Sequence, residues 1–391
     1  MANALGYYNQ LVYAQEALIQ LEQSLGIAQR VHRGAEAERN AGFAKGDKVR
    51  LKRPSSFTAQ DAPSTTAQDV ATESLEITLD KWFDVLIKLR DDEMSFTQDE
   101  MLVSHIRPAA VAVARKFDTY LKDVAYKGVA DFIDVGATAA PADLVAAQKV
   151  LFDNAAPVDD EPNMHFLLDS DMNADFQANS AFSTFNGAGQ AGAAAQMTGA
   201  LGLKYGFNLF RNQSVPTHTP GTCNDTALNV VGAFAAGVST VNIDAVDAGV
   251  TGTLVPGDIL TFNHAAAGVT RNYVVTNTVT ASGNAFTGVT ISPPLEYAMA
   301  DNGLVTFKNT ASKRQCLAFH RDFMGFCLAP LSTHGDGKGA VIAKAFDPTT
   351  GLGIRVATWY DGLNAQNYMR VDALGGAKVL NPRLACRAYN S

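Results

Sequence analysis

The sequence predicts an α+β chain with a small β-barrel or sandwich interposed in it, and three observations carry that expectation. Two stretches, Leu11 to Ala28 and Leu102 to Tyr126, repeat apolar residues at the three-and-four spacing of one helix face. Runs that alternate apolar and polar residues flank them, as half-exposed strands should. After Pro220 the helical period disappears, and short alternating runs punctuated by Gly, Asn and Pro take over until Asn309.

With 391 residues the chain exceeds the size at which one core usually stops growing, so more than one folded unit is expected. Hydrophobic residues make up 47% and charged residues 18%. A surface so poor in charge is expected to be partly covered by partner chains. The net charge of -8 argues against a sequence reader of nucleic acid, which needs surplus Lys and Arg to displace counterions. Contact with nucleic acid as bulk cargo stays open. The opening MANALGYYNQLVYAQEALIQ has no basic start before an apolar core, so no secretory signal is expected. The uncharged stretch from Phe176 to Leu203 is too polar for a membrane span. Cys223, Cys316, Cys327 and Cys386 form no Cys-x-x-Cys pair and are expected to be thiols in a reducing cytosol.

Along the chain, Leu11, Ala14, Leu18, Leu21, Leu25 and Ala28 form a narrow, nearly heptad stripe. Either the chain's own core or another subunit would cover it, which makes Leu18, Leu21 and Leu25 candidate intersubunit contacts. Two β-like runs, Lys48 to Arg53 and Ser74 to Leu79, flank a linker of Ser, Thr, Ala, Gln and Pro. They are expected to form an extended two-stranded arm. Its basic residues Lys48, Arg50, Lys52 and Arg53 are expected to meet acidic residues on a neighbouring subunit. Thr97 and Glu100 fit a capping box, and Phe96 with Met101 a hydrophobic staple, ahead of the second helical stripe. Pro108 interrupts that stripe, so the helix kinks there or begins anew with Pro108 in its first turn. Further on come a helix from Pro141 to Phe152, a buried strand from Met164 to Leu168 and a strand from Tyr205 to Arg211. The β-rich region offers runs at 238–243, 258–262, 272–279, 289–292 and 304–307. Ile354 to Tyr360 and Tyr368 to Leu374 are expected to pair as a hairpin across DGLNAQN.

Chemistry is nearly absent. The histidines (32, 105, 165, 218, 264, 320 and 334) are scattered, with no spacing that a metal needs. The acidic pairs Asp91-Asp92 and Asp159-Asp160 read as solvated turns. HGDGKG, from His334 to Gly339, resembles part of a phosphate loop, but Ala340 stands where a hydroxyl residue would hold magnesium. Gly375-Gly376 in MRVDALGGAKVLNPRLACRA lacks the following helix that would cradle an anion, so the glycines are expected to bend or bulge a strand. No catalytic, cofactor-binding or metal-ligating residue is assigned, and no enzyme is expected.

Five stretches, in this order, resemble the major capsid proteins of tailed bacteriophages with the Hong Kong 97-type fold. LEITLDKWFDVLIKLRDDEMSF is similar to the returning strand of that family's extended arm. HIRPAAVAVARKFDTYL looks like the start of its long spine helix, and AAQKVLFDNAAPVDDEPNMHFLLDSD like the opening of its axial domain. GLKYGFNLFRNQSVPTHTPG resembles the strand before an insertion, similar to that of some short-tailed phages. IRVATWYDG with MRVDALGGAKVLNPRLACRA looks like its peripheral-domain hairpin.

The resemblance implies an N-terminal arm at 1–40, an extended loop at 41–93 and a spine helix at 94–130. It places the axial domain at 131–220 and 311–352, an inserted β-rich domain at 221–310, and the peripheral hairpin with the C-terminal strand at 353–391. It implies hexameric and pentameric capsomers enclosing double-stranded DNA, aided by a scaffolding protein and a portal, with no cofactor and no membrane partner. Such a protein is made in the host bacterial cytoplasm and resides in the virion. Some relatives join an arm lysine to an asparagine of a neighbouring subunit. Lys45, Lys48 and Lys52 sit on the arm here and Asn381 on the terminal strand, but no motif fixes either partner, and solvated or ion-paired lysines are the expectation. A bacterial nanocompartment shell and a β-rich decoration protein are the alternative readings.

Overall fold

A computed structural model describes residues 5–33, 45–52, 67, 74–90, 102–183, 196–246, 249–308, 311–329, 331–333, 336–337, 339–347 and 352–390. In chain order come helix α1 (Leu5–Ser24), strands β1 (Lys48–Lys52), β2 (Ser74–Thr78) and β3 (Lys81–Arg90), then helix α2 (Arg107–Gly128). Strand β4 (Phe132–Asp134), helix α3 (Pro141–Asp153), strand β5 (Met164–Leu168) and helices α4 (Ser170–Ala178) and α5 (Ser180–Ser183) follow. Next are β6 (Leu203–Lys204), β7 (Phe207–Arg211), β8 (Thr217–His218), β9 (Ala227–Val230), β10 (Thr240–Ala245), β11 (Thr253–Leu254) and β12 (Ile259–His264). Then come β13 (Val269–Val275), β14 (Val279–Thr280), β15 (Ala285–Ser292), β16 (Leu304–Phe307) and β17 (Lys313–His320). The last strands are β18 (Met324–Ala329), β19 (Ala340–Asp347), β20 (Leu352–Asp361), β21 (Gln366–Val379) and β22 (Ala385–Asn390). The chain divides into two compact units, one of Met1–Asp118 with Gly325–Leu380 and one of Thr119–Met324 with Asn381–Ser391.

The first unit is built on a five-stranded sheet. Its spine is the β20–β21 hairpin, antiparallel from Arg355 opposite Asp372 to Asp361 opposite Gln366. β3 lies along the other side of β21, with Lys81 opposite Gly375 and Arg90 opposite Gln366. Helix α1 packs on β19 and β20. Phe117 of α2 meets Phe83 of β3 edge-on, with ring centroids 4.8 Å apart. Pro108 is the second residue of α2, after a π-helical turn at Leu102–Ile106. Its missing N–H falls where the π-helical turn gives way to the α-helix, so the proline sits at that junction and not within the regular α-helix.

Two expectations change. Ala14, Ala17, Leu21 and Leu25 are buried against the chain's own sheet, while Leu11 and Ile19 face outward. Leu21 and Leu25 are therefore not available to another subunit, and Leu18 is half-buried. The period showed which face is apolar but not what covers it. Nor does Gly375-Gly376 bulge: β21 runs through both residues. A Cβ on Gly375 would stand 2.5 Å from Phe117 Cε1, and one on Gly376 would stand 2.1 Å from the Thr78 carbonyl oxygen. The glycines are there because a ring and a second backbone approach the strand closely.

The second unit has a sheet ordered β4-β22-β17-β5-β7-β6, with β8 also pairing with β17. β22 runs parallel to β4, and β5 runs parallel to β7. Leu144, Leu151, Met172, Phe176 and Phe182 from the helices close over Phe166, Leu168, Phe207, Cys316 and Cys386 from the sheet. Asp169 caps α4 by accepting from Met172 N at 2.9 Å. Asp169→Ala is expected to cost about 1–2 kcal/mol in a urea titration, the usual range for a lost N-cap.

Between β8 and β17 the chain forms a closed barrel, ordered β10-β15-β13-β12-β16-β9. Leu228, Val241, Leu260, Phe262, Tyr273, Phe286 and Val305 fill it. Because Thr217 of β8 pairs with Arg314 of β17, the chain leaves the sheet and rejoins it at adjacent positions.

Candidate functional site

The titratable groups are dispersed. Among the described residues no set of three His, Cys, Asp or Glu side chains is placed to hold a metal ion. His218 Nε2 lies 2.9 Å from Asp258 Oδ1, His264 Nε2 lies 3.1 Å from Tyr273 Oη, and His320 Nε2 lies 3.3 Å from Asp160 Oδ2. Asp160 is held below the usual carboxylate range, chiefly by the Asn163 amide and then by His320. Burial pushes the Cys316 and Cys386 thiols well up, which keeps both protonated and unreactive. No helix among the described residues is long and apolar enough to cross a membrane. His334 and Lys338 of the HGDGKG segment, and the capping box at Thr97 and Glu100, lie outside the described residues.

On the β1–β2 ribbon, Arg50 stands directly opposite Glu76. Arg50 Nε donates to Glu76 Oε1 at 3.2 Å, and Lys48 Nζ donates to Oε2 at 2.7 Å. Lys378 Nζ reaches the Glu76 carbonyl oxygen at 3.5 Å. Three cations thus gather at one acidic position. The Lys48 hydrogen bond is the largest of the influences that lower the Glu76 pKa. Lys48 and Arg50 remain exposed, whereas Arg53 and the side chain of Lys52 lie outside the described residues. Asn381 Oδ1 accepts from Arg383 N at 3.2 Å and caps a short 3-10 turn.

The outer face of the first unit's sheet carries a network that sequence reasoning missed. Arg355 grips Asp372 with two bonds, Nε to Oδ1 at 2.9 Å and Nη2 to Oδ2 at 2.5 Å. Its Nη1 also donates to the Ser332 carbonyl at 2.9 Å, and Trp82 Nε1 donates to Asp372 Oδ2 at 3.2 Å. Beside them Arg370 lies between two indoles, 5.7 Å from Trp82 and 5.4 Å from Trp359. Trp359 stacks on Tyr368 at 5.6 Å, and Arg370 Nε pairs with Asp84 Oδ2 at 3.2 Å. The register explains the cluster, since Asp372 lies opposite Asp84 on one side and Arg355 on the other. The Arg370/Asp372 alternation is visible in sequence, but its partners are not.

In the second unit a polar junction joins the barrel to the sheet. Arg387 of β22 is fully buried, its Nη1 donating to the Gly257 carbonyl at 2.9 Å. Arg383 pairs with Glu296, whose other oxygen lies 3.2 Å from Arg271 Nε. Asp131 accepts from Asn154 Nδ2 at 2.7 Å, and burial raises its pKa. Asp131, Asn154, Arg271, Asn272, Glu296 and Arg383 line a cleft of about 20 Å³, room for one water and not for a substrate.

No known family model matches the sequence, and no curated protein matches it. Solved structures resemble the chain over most of its length at TM-scores below 0.5. One is from Mycobacterium phage Che8, at 12% identity and TM-score 0.48, covering 93% of this chain and 90% of that one. Another is the asymmetric unit of the bacteriophage PhiM1 mature capsid, at 11% identity and TM-score 0.47, covering 94% and 87%. A third is the virus-like particle from Pyrococcus furiosus, at 7% identity and TM-score 0.43, covering 97% and 98%. Phage capsids and a virus-like particle are what this chain is similar to.

Proposed function

We propose that the chain is a major capsid protein, a structural subunit and not an enzyme. In this reading it assembles with copies of itself into hexamers and pentamers of an icosahedral phage head around double-stranded DNA. A scaffolding protein and a portal act with it, and the virion is its destination. The observation that carries the reading is the order of the elements, which follows the order of the stretches resembling that family. A two-stranded ribbon is followed by a long helix starting at Pro108's turn. An α/β sheet, a closed barrel and a long hairpin come after it. Residues 221–310 would be the inserted domain and α2 the spine helix. Phe152, Met197 and Leu363 are large apolar side chains left exposed, and shell contacts would cover such groups. Each contact is allowed to be modest, because a shell repeats it many times.

Expression with the cognate scaffolding protein is expected to yield closed particles under negative stain. Monomers or small rings alone would overturn the reading. Lys48→Glu combined with Arg50→Glu is expected to weaken those particles. Folding of the subunit should change by less than about 1 kcal/mol, as for exposed pairs generally. Particles as heat-stable as wild type would remove the ribbon from the contact.

A further inference from the structure

β3 is an edge strand of 10 residues. It pairs with β21 on one side, and among the described residues its other side pairs with none. Both of its faces look unfinished. Phe83, Val85 and Ile87 lie opposite Ala373, Val371 and Met369 of β21. Those β21 residues are buried, whereas Phe83, Val85, Ile87 and Leu89 are only half-buried. A cavity of about 310 Å³ runs beside them, between Trp82, Phe83, Asp84 and Val85 and the Ala112, Val113 and Lys116 positions of α2. On the opposite face Trp82 is 41% exposed and Leu86 49%, with Asp84 and Lys88 exposed between and beyond them. An open edge of this length and polarity is a template for another strand.

The chemistry of the edge selects its occupant, because the strand complements itself when read outward from Leu86. In an antiparallel copy related by a two-fold axis at Leu86, Asp84 faces the partner's Lys88, and Lys88 faces the partner's Asp84. Leu86 then meets its own equivalent, Val85 faces the partner's Ile87, and Phe83 faces the partner's Leu89. Moving the register by one residue would set apolar side chains against the charged face. Moving it by two one way would set Asp84 against Leu86 and Lys88 against Trp82. The other way would keep a partner for Asp84 in Arg90 but set Lys88 against Leu86. The register about Leu86 is the one of these that pairs both Asp84 and Lys88 with opposite charges. We propose that β3 is a docking strand on which a second copy of this chain adds its own β3, antiparallel about Leu86, joining two five-stranded sheets into one. The contact is isologous, each half giving what the other takes. It stands on the strand's own chemistry and holds whether or not the chain builds shells.

The test uses the full chain and two single charge changes. Lys88→Asp sets two acidic residues opposite one another, and Asp84→Lys sets two basic ones. Each alone is expected to weaken self-association in sedimentation equilibrium by about tenfold, the sum of two cross-strand pairs changing sign. Mixing the two variants is expected to restore association, since each then supplies the charge the other lacks. Leu86→Cys is expected to give a disulfide-linked dimer on mild oxidation, because directly opposed Cβ atoms come within bonding reach. Asp84 also holds Arg370, so Lys88→Asp and Leu86→Cys carry the test if Asp84→Lys folds poorly. Variants that associate like wild type, no recovery on mixing, or a Leu86→Cys chain that stays uncrosslinked would mean that the charges only blunt the edge, and would overturn the proposal. Particle formation under the microscope is a separate readout, so a failed shell and a failed docking strand are distinguishable.

Discussion

Asp372→Ala is expected to destabilise the first unit by about 3–5 kcal/mol in a guanidinium titration, the range for a buried ion pair that loses one member. Asp372 is fully buried and accepts both forks of the Arg355 guanidinium and the Trp82 indole. Removing it strands a nearly buried cation whose remaining bond is to the Ser332 carbonyl. Asp372→Asn keeps the shape and an acceptor for Trp82, so its cost should fall between wild type and alanine. Pairing Asp372→Ala with Arg355→Met should recover much of the loss, because the stranded charge goes with it. A double variant no better than the single one would show that the penalty comes from packing and not from charge.

Gly376→Ala is the next most damaging change expected, at about 2–3 kcal/mol. Its new methyl would meet the Thr78 carbonyl at 2.1 Å, and a carbonyl in a ribbon cannot swing aside as a side chain can. The ribbon must lift from β21, exposing Val49, Ile77 and Leu79 where they pack with Leu374 and Cys327. Gly375→Ala should cost less, because its new methyl meets side-chain atoms of Phe117 and Leu328 and not a backbone carbonyl. Hydrogen exchange should show the Gly376→Ala effect concentrated in Lys48–Lys52 and Ser74–Thr78. Equal losses at the two glycines, or a loss spread over the whole unit, would contradict this account.

What could be read from the chain beforehand was local. Pro108 narrowed the second helical stripe to a kink or a fresh start there, and the alternation in Ile354 to Tyr360 and Tyr368 to Leu374 marked the hairpin. β9 escaped notice because its 4 residues carry only Leu228 and Val230 as an inward pair, and the barrel around them gives that pair its meaning. The rest depended on distant segments meeting. The reason for Gly376 lies at Thr78, the counter-charge of Asp372 lies at Arg355, and the acceptor for Arg387 lies at Gly257. In ACRAYN an arginine between alternating small residues reads as solvated, and nothing local says that the barrel will close over it. The same limit applied to Leu21 and Leu25, whose period marked an apolar face and left open which partner covers it.

β22 occupies an interior place in its sheet, parallel to β4 on one side and antiparallel to β17 on the other. During synthesis that place stands vacant until residues 385–390 emerge, long after both neighbours have been made. The barrel is complete sooner, because its closing strand β16, which pairs with β9, is made before β22. A nascent chain is therefore expected to carry a finished barrel beside a sheet with a gap in its middle. The arrival of β22 fills the gap and brings Arg387 to Gly257 in one step. Completion of the second unit's sheet is therefore expected to wait until β22 has left the ribosome.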